Sequence, residues 1–173
     1  MSSTLDPEVL ATAVAAAQAA GELLLEGWGQ RPATKTKSAA IDLVTEYDGR
    51  AEALILERLQ NSFPEHAVVG EEGSRVGPQD SRFVWYVDPL DGTMNFSHGV
   101  PMFAVSLGLV VDGEPLVGVV HAPALSWTFA GMVGGAVTRN GIPLTVSQTA
   151  ALPEGLFATG FPYVEGSPNA NLA

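Results

Sequence analysis

Apolar residues in the first part of the chain recur at the spacing of an α-helix. Between residues 6 and 28 they step by three or four positions, which places them on one face. Asp6 stands at an expected N-cap, and Pro7 follows at the first helical position, where a missing N–H costs nothing. The pattern predicts a helix over residues 6–28 with an apolar stripe of Leu10, Val14, Ala17, Gly21, Leu24 and Trp28.

A second helical pattern follows a polar stretch. Residues 30–41, "QRPATKTKSAAI", are basic and small, and this composition predicts a linker loop. The next residues offer a Thr-x-x-Asp helix start, with Thr45 as the N-cap and Asp48 in the first turn. Apolar positions continue at helical spacing to about Ser62, so a second helix is predicted from residue 45 to that point.

Strand patterns begin after this helix. "HAVVGEEG" predicts a short strand that ends in two glutamates. "RFVWYVDPL" predicts another strand, which ends at Asp88 because Pro89 cannot donate to a sheet ladder. From residue 102 onward apolar residues occupy every second position, as in a strand with one buried face. That buried face is expected to consist of Phe103, Val105, Leu107, Leu109 and Val111.

Two dipeptides predict hairpin turns in the second half of the chain. Asp112-Gly113 and Asn140-Gly141 are sequences that favour tight turns between antiparallel strands. Further strands are predicted at residues 116–121 and 126–132, and the apolar run "GLFATGF" predicts a last one at residues 155–161. Two helices followed by a mostly antiparallel sheet predict an α+β domain of packed layers.

Composition narrows the possible partners. The 173 residues carry 8 basic and 19 acidic side chains, a formal charge of −11, so no nucleic-acid partner is expected. Residues 115–138 carry no charged side chain but contain prolines and glycines, which favours buried sheet over a membrane helix. The first residues lack the positive start of a signal peptide, and the chain has no cysteine. A cytoplasmic protein without a membrane partner is therefore expected.

Acidic residues gather at three places. Asp42 and Asp48 flank the start of the second helix, while the glutamates of "GEEG" and the aspartates of "DPLD" each follow a strand. Converging carboxylates repel each other unless a cation such as Mg²⁺, which prefers oxygen ligands, is bound between them. Gly92 and Thr93 would open a helix whose free N–H groups could hold a phosphate. Together these features predict metal-assisted phosphoester hydrolysis, although each one alone is also compatible with a turn or a helix cap.

A longer stretch carries a specific resemblance. "WYVDPLDGTMNFSHGVPMFAVSLGL" resembles the signature of the inositol monophosphatase family, a group of lithium-sensitive, magnesium-dependent phosphatases, and "GEEG" and "DLVTEYD" match in order and spacing. The resemblance implies a layered αβαβα sandwich like that of sugar phosphatases. Of this sandwich the chain would hold the N-terminal helix pair, the large antiparallel sheet and the first strand of a second sheet. Residues 1–153 would form a metal- and phosphate-binding domain, and residues 154–173 would begin a second.

The resemblance also implies metal ligands. Glu71 and Asp88, with the carbonyl of Leu90, would hold a first Mg²⁺, and Asp88 and Asp91 would share in a second. Three further residues are expected to support these ligands without binding the metal themselves, namely Glu72, Lys37 and Thr45. Two of them have an equally open alternative: Lys37 as a solvated lysine and Thr45 as a helix cap.

Catalytic and phosphate-binding residues follow from the same matches. Asp48 and Thr93, with Glu71, would orient and activate the attacking water. The N–H groups of Gly92 and Thr93 would bind phosphate, and Asp91 would also approach the substrate's hydroxyl groups.

The three histidines have no metal-ligand spacing and are expected to be structural or on the surface, and the three tryptophans are expected in the core. They are His66, His98 and His121, and Trp28, Trp85 and Trp127.

The implied function is a Mg²⁺-dependent phosphomonoesterase acting on a small polyol phosphate such as inositol monophosphate. Histidinol phosphate or another sugar phosphate is an alternative substrate. A non-catalytic regulatory or binding protein on the same fold is an alternative function. The resemblance further implies a homodimer. Members of the family continue well beyond 173 residues and use a later aspartate for the second metal. The chain is therefore expected to be either truncated or a reduced relative, and to be weakly active or inactive.

Overall fold

A computed structural model describes residues 6–28, 37–71 and 74–158, with side chains from residue 46 onward in the middle range. Within these ranges three α-helices and an eight-stranded sheet form the fold. The helices are α1 (Pro7–Trp28), α2 (Lys37–Ser62) and the short α3 (Thr93–Ser97). The strands are β1 (Ala67–Gly70), β2 (Arg75–Val76), β3 (Phe83–Asp91), β4 (Ala104–Val111), β5 (Glu114–Ala122), β6 (Trp127–Met132), β7 (Thr138–Arg139) and β8 (Ile142–Pro143).

Helix α1 matches its prediction, and its N-cap is formed by the residue expected. The N–H of Glu8 donates to Asp6 Oδ1 at 2.9 Å. By length and composition α1 could cross a membrane, with a mean hydropathy of 1.4. Its buried side includes four alanines and packs against α2, β4 and β5.

Helix α2 begins earlier than its sequence pattern predicted. It starts at Lys37, so residues 37–41 are helical rather than a linker, and Thr45 lies inside the helix rather than at its N-cap. No glycine or proline interrupts residues 37–45, and alanines occupy positions 39 and 40. Helix propagation through such residues is favourable, so it outweighs a local cap at Thr45.

The sheet has the order β2-β1-β3-β4-β5-β6-β7-β8. Strands β1 and β3 are parallel neighbours, and all other described neighbours are antiparallel. Both hairpin turns form as predicted, since Asp112 and Gly113 have φ values of 52° and 87°, and Asn140 and Gly141 have 51° and 78°. The large, mostly antiparallel sheet with helices on one face confirms the predicted α+β class.

The core lies between the helix pair and one face of the sheet. The alternating side chains predicted for β4 are buried there, together with the fully buried Trp85 of β3 and Leu24 of α1. The opposite face is more open, and Tyr86 is 52% exposed on it. The division of the chain at residue 153 stays a prediction.

Three predictions in the sheet region need correction. Strand β3 does not end at Asp88 but continues through Pro89 to Asp91, because a register shift between Asp88 and Asp91 accommodates the missing N–H. Trp127 is 41% exposed rather than in the core, since its position on β6 points to the sheet face that none of the described helices covers, where Arg139 lies over its ring. Residues 155–158 are not in a strand, and residues 159–161 lie outside the described ranges.

The histidines have the structural and surface roles predicted for them. His66 is buried, its Nδ1 accepts a hydrogen bond from Trp85 Nε1 at 3.0 Å, and its ring stacks between Phe63 and Phe83. Burial lowers the pKa of His66, so the ring is neutral at pH 7. His121 is buried beside Thr128, and His98 is exposed.

Candidate metal and phosphate site

Two neighbouring strands bring two acidic residues to the same place. Strand β1 runs parallel to β3, and Gly70 at its end is paired with Val87. The next residue along each strand is therefore Glu71 on one side and Asp88 on the other. Because parallel strands end at the same edge, a register set by buried apolar residues positions two carboxylates side by side.

The electrostatics of Asp88 reflect this meeting. Burial and the negative charge of Glu71 raise the pKa of Asp88 to about 6, and Asp91 and a hydrogen bond with the Glu71 carboxyl add to the effect. A hydrogen bond from the Leu90 N–H to Asp88 Oδ1, at 3.1 Å, opposes it. Within the described residues neither Glu71 nor Asp88 forms an ion pair with an arginine or lysine. The two carboxylates are thus held together without a compensating positive charge from those residues.

The turn after β3 depends on a glycine. Gly92 has a φ of 86°, and a Cβ on it would lie 2.8 Å from the Met102 carbonyl oxygen. Helix α3 starts directly after it, and Thr93 Oγ1 donates to the Leu90 carbonyl at 3.0 Å. Asn95 Nδ2 donates to the same Met102 carbonyl at 2.7 Å. These contacts fix the corner that carries the predicted phosphate-binding N–H groups of Gly92 and Thr93.

The other predicted site residues are distributed around this corner. Asp48 is half-buried on α2, and Asp91 is exposed at the end of β3. Lys37 and Thr45 belong to α2, but their side chains, like all of Glu72, lie outside the described part. In that described part no group of three or more acidic or histidine side chains is arranged to hold a metal ion. The strand register therefore brings Glu71 and Asp88 together, and the described residues do not assemble the whole predicted ligand set.

The chemistry of the pair nevertheless fits a hard divalent cation. Carboxylate and carbonyl oxygens are the donors that Mg²⁺ prefers. The Leu90 carbonyl accepts one hydrogen bond, from Thr93, and a carbonyl oxygen has a second lone pair. The raised pKa of Asp88 indicates that a positive charge at this place would stabilise the ionised pair.

A cavity of about 540 Å³ adjoins the pair and reveals residues that the sequence did not single out. Glu71 and Asp88 line it together with Tyr86 and Ser106. Ser106 is paired with Asp88 across β3 and β4, and Tyr86 lies two positions before Asp88. The alternation along β3 could have shown that Tyr86 lies on the same face as Asp88. The position of Ser106 depends on the register between β3 and β4, which the sequence does not state.

Comparisons with known proteins add to this geometry. The family model described as the inositol monophosphatase family matches residues 6–171. The chain belongs to the inositol monophosphatase family. It is 42% identical over 154 residues to an inositol-1-monophosphatase from Synechocystis, and the aligned region covers 89% of this chain and 54% of that relative. It is 35% identical over 156 residues to the Nus factor SuhB of Haemophilus influenzae, covering 90% of the chain and 58% of the relative.

A solved structure of a family member has the same architecture. The structure of an inositol monophosphatase from Anabaena (Nostoc) matches with a TM-score of 0.78 and 38% identity, covering 90% of this chain and 56% of that one. The match therefore supports the α+β fold. The chain spans about half the length of the relatives it matches.

Proposed function

We propose that this chain carries the metal and phosphate corner of a Mg²⁺-dependent phosphomonoesterase acting on a small polyol phosphate such as inositol monophosphate. The observation that carries the proposal is the meeting of Glu71 and Asp88 at the ends of β1 and β3, in a chain of this family. The proposal includes a cytoplasmic homodimer that is inhibited by lithium.

Four positions would hold the metal ions. Glu71, Asp88 and the Leu90 carbonyl would bind the first Mg²⁺, and Asp88 and Asp91 would contribute to a second. A bound Mg²⁺ supplies positive charge that neutralises phosphate oxygens and acidifies water. Its positive charge would also oppose the burial and the repulsion from Glu71 that raise the pKa of Asp88.

The chain's own residues would position phosphate and water. The N–H groups of Gly92 and Thr93 would donate to phosphate oxygens, because the first N–H groups of a helix have no intrahelical acceptor. Thr93 Oγ1 donates its hydrogen to the Leu90 carbonyl, so the lone pairs of Oγ1 can accept a hydrogen bond from water. Asp48 would accept a proton from that water, and Asp91 would accept hydrogen bonds from the substrate's hydroxyl groups. Glu72, Lys37 and Thr45 would support these groups.

Phosphate release tests the proposal. Purified chain would be assayed with inositol 1-phosphate and with histidinol phosphate, each in Mg²⁺ and in EDTA. We expect weak, Mg²⁺-dependent release, lower than that of a relative spanning the full family length. Asp91→Asn should abolish it, whereas the matched variant Asp80→Asn, at an exposed turn, should not. Activity that persists in EDTA or in Asp91→Asn would contradict the proposal.

A non-catalytic regulatory role is the second candidate, because one relative is named a Nus factor. Such a protein would bind its partner in EDTA and in Asp91→Asn as well as in Mg²⁺. It would release no phosphate under any of the assay conditions. The same set of variants therefore separates the two functions.

A further inference from the structure

Glu52 is an acidic residue of α2 that none of the site assignments includes. It lies one helical turn after Asp48, so the two side chains share a face of the helix. Its side chain is half-buried, and its Oε1 accepts a hydrogen bond from Ser74 Oγ at 2.7 Å. The helix that carries the predicted catalytic Asp48 is thereby joined to the turn after β1.

The turn that Glu52 contacts is the one that carries Glu71. Its two ends are linked by a hydrogen bond from the Gly70 N–H to the Ser74 carbonyl, at 2.8 Å. Ser74 therefore has two contacts, one through its carbonyl to the end of β1 and one through its hydroxyl to α2. Loss of the second contact would release one end of the turn from the helix.

Gly70 shows how closely Glu52 approaches the backbone. A Cβ on Gly70 would overlap Glu52 Oε1 and would lie 2.5 Å from Ser74 Oγ. Gly70 does not have a positive φ, unlike Gly92, so its backbone conformation does not require a glycine. The carboxylate of Glu52 therefore occupies the space of a side chain at Gly70, directly before Glu71.

We propose that Glu52 is a positioning residue, which holds Ser74 and the end of β1 at Gly70 against α2 so that Glu71 stays beside Asp88. The proposal rests on the proposed metal site. Glu71 is exposed, so its placement depends on the backbone that precedes and follows it. Through the turn, the carboxylate of Glu52 orders a ligand of the cation without binding the cation.

The test uses the full chain and two readouts. Hydrogen exchange of the Gly70 amide, measured in EDTA, reports the turn alone, and Mn²⁺ affinity from electron paramagnetic resonance reports the metal site. Glu52→Ala removes the acceptor, Glu52→Gln keeps an oxygen there, and Ser74→Ala removes the donor. Glu57→Ala, at an exposed position of the same helix, is the matched control.

We expect Glu52→Ala to speed Gly70 exchange about tenfold, as for the loss of a hydrogen bond to a charged group. It should also weaken Mn²⁺ binding about tenfold or more, which is typical for residues that orient metal ligands. Glu52→Gln should keep the exchange rate of the Gly70 amide and the Mn²⁺ affinity close to those of wild type. Ser74→Ala should resemble Glu52→Ala, and Glu57→Ala should match wild type. Should Glu52→Ala fail to fold, Ser74→Ala gives the same comparison.

Three results would overturn the proposal, and they differ from one another. Unchanged Gly70 exchange in Glu52→Ala and Ser74→Ala would show that Glu52 does not hold the turn. Faster exchange with unchanged Mn²⁺ affinity would show that the turn does not position a ligand. A wild-type chain that binds no Mn²⁺ would overturn the proposed function itself, and the positioning role with it.

Discussion

Replacement of Gly92 by alanine tests whether the corner between β3 and α3 is as tightly packed as the structure indicates. Gly92 has a φ of 86°, and a Cβ there would lie 2.8 Å from the Met102 carbonyl oxygen. Gly113, in the hairpin between β4 and β5, has a φ of 87° but no atom within 4 Å of the same Cβ position. The two glycines share the backbone conformation and differ in their surroundings, so Gly113→Ala is a matched control.

The expected magnitudes follow from these two differences. A left-handed conformation costs a residue with a Cβ about 1–2 kcal/mol. Alanine recovers about 0.4–1 kcal/mol of this by restricting the unfolded chain. Gly113→Ala should therefore lower the free energy of unfolding by about 1 kcal/mol. Gly92→Ala should lower it by a further 1–3 kcal/mol or so, because the Met102 backbone must move to make room.

Thermal unfolding of the two variants measures the difference. For a chain of this size, about 1 kcal/mol corresponds to a change of roughly 2–4 °C in Tm. Gly92→Ala should melt clearly below Gly113→Ala, and it should lose Mg²⁺ affinity, which Gly113→Ala should retain. Equal melting temperatures for the two variants would refute the claim that Gly92 is fixed by contact with Met102.

Two further predictions concern the core. The pKa of His66 is lowered in the folded chain, so below about pH 6.5 the unfolded chain binds more protons than the folded one. The contribution of His66 to stability is therefore complete above about pH 6.5 and is lost as the pH falls below that value. The urea midpoint of wild type should thus fall more between about pH 7.5 and pH 5.5 than that of His66→Gln, and equal falls would contradict this. Trp85→Ala should cost about 3–5 kcal/mol at a fully buried site, whereas Trp127→Ala, at a side chain 41% exposed, should cost less than about 1.5 kcal/mol; similar losses in the two would argue against the assigned faces of the sheet.

The parts of the fold that sequence predicted are those set by local chemistry. The alternation in β4 defines its buried face without reference to any other strand, and Asp112-Gly113 defines a turn through the backbone conformations its two residues tolerate. The predicted start of α2 at Thr45 was wrong. A capping signal at Thr45 competes with helix propagation from Lys37, and the helix propensity of the whole segment favours the earlier start.

The parts that sequence did not predict depend on contacts between distant segments. Strand β3 passes through Pro89 because the partner strand allows a register shift there. Trp127 is exposed because none of the helices in the described residues packs on its face of β6. For the site, the resemblance supplied Glu71 and Asp88, whereas Glu52 was missed because its contact with Ser74 joins residues that no motif connects.

The melting temperature of Asp88→Asn, with and without Mg²⁺, tests the central claim most directly. In EDTA this variant should melt above wild type, because asparagine keeps an oxygen for the Leu90 N–H and removes a half-buried charge beside Glu71. Mg²⁺ at about a hundredfold excess over Kd should raise the Tm of wild type, and of Asp80→Asn, by roughly 5–10 °C. It should leave Asp88→Asn almost unchanged. An equal rise in Asp88→Asn, or no rise in wild type, would contradict a metal site at this pair of carboxylates.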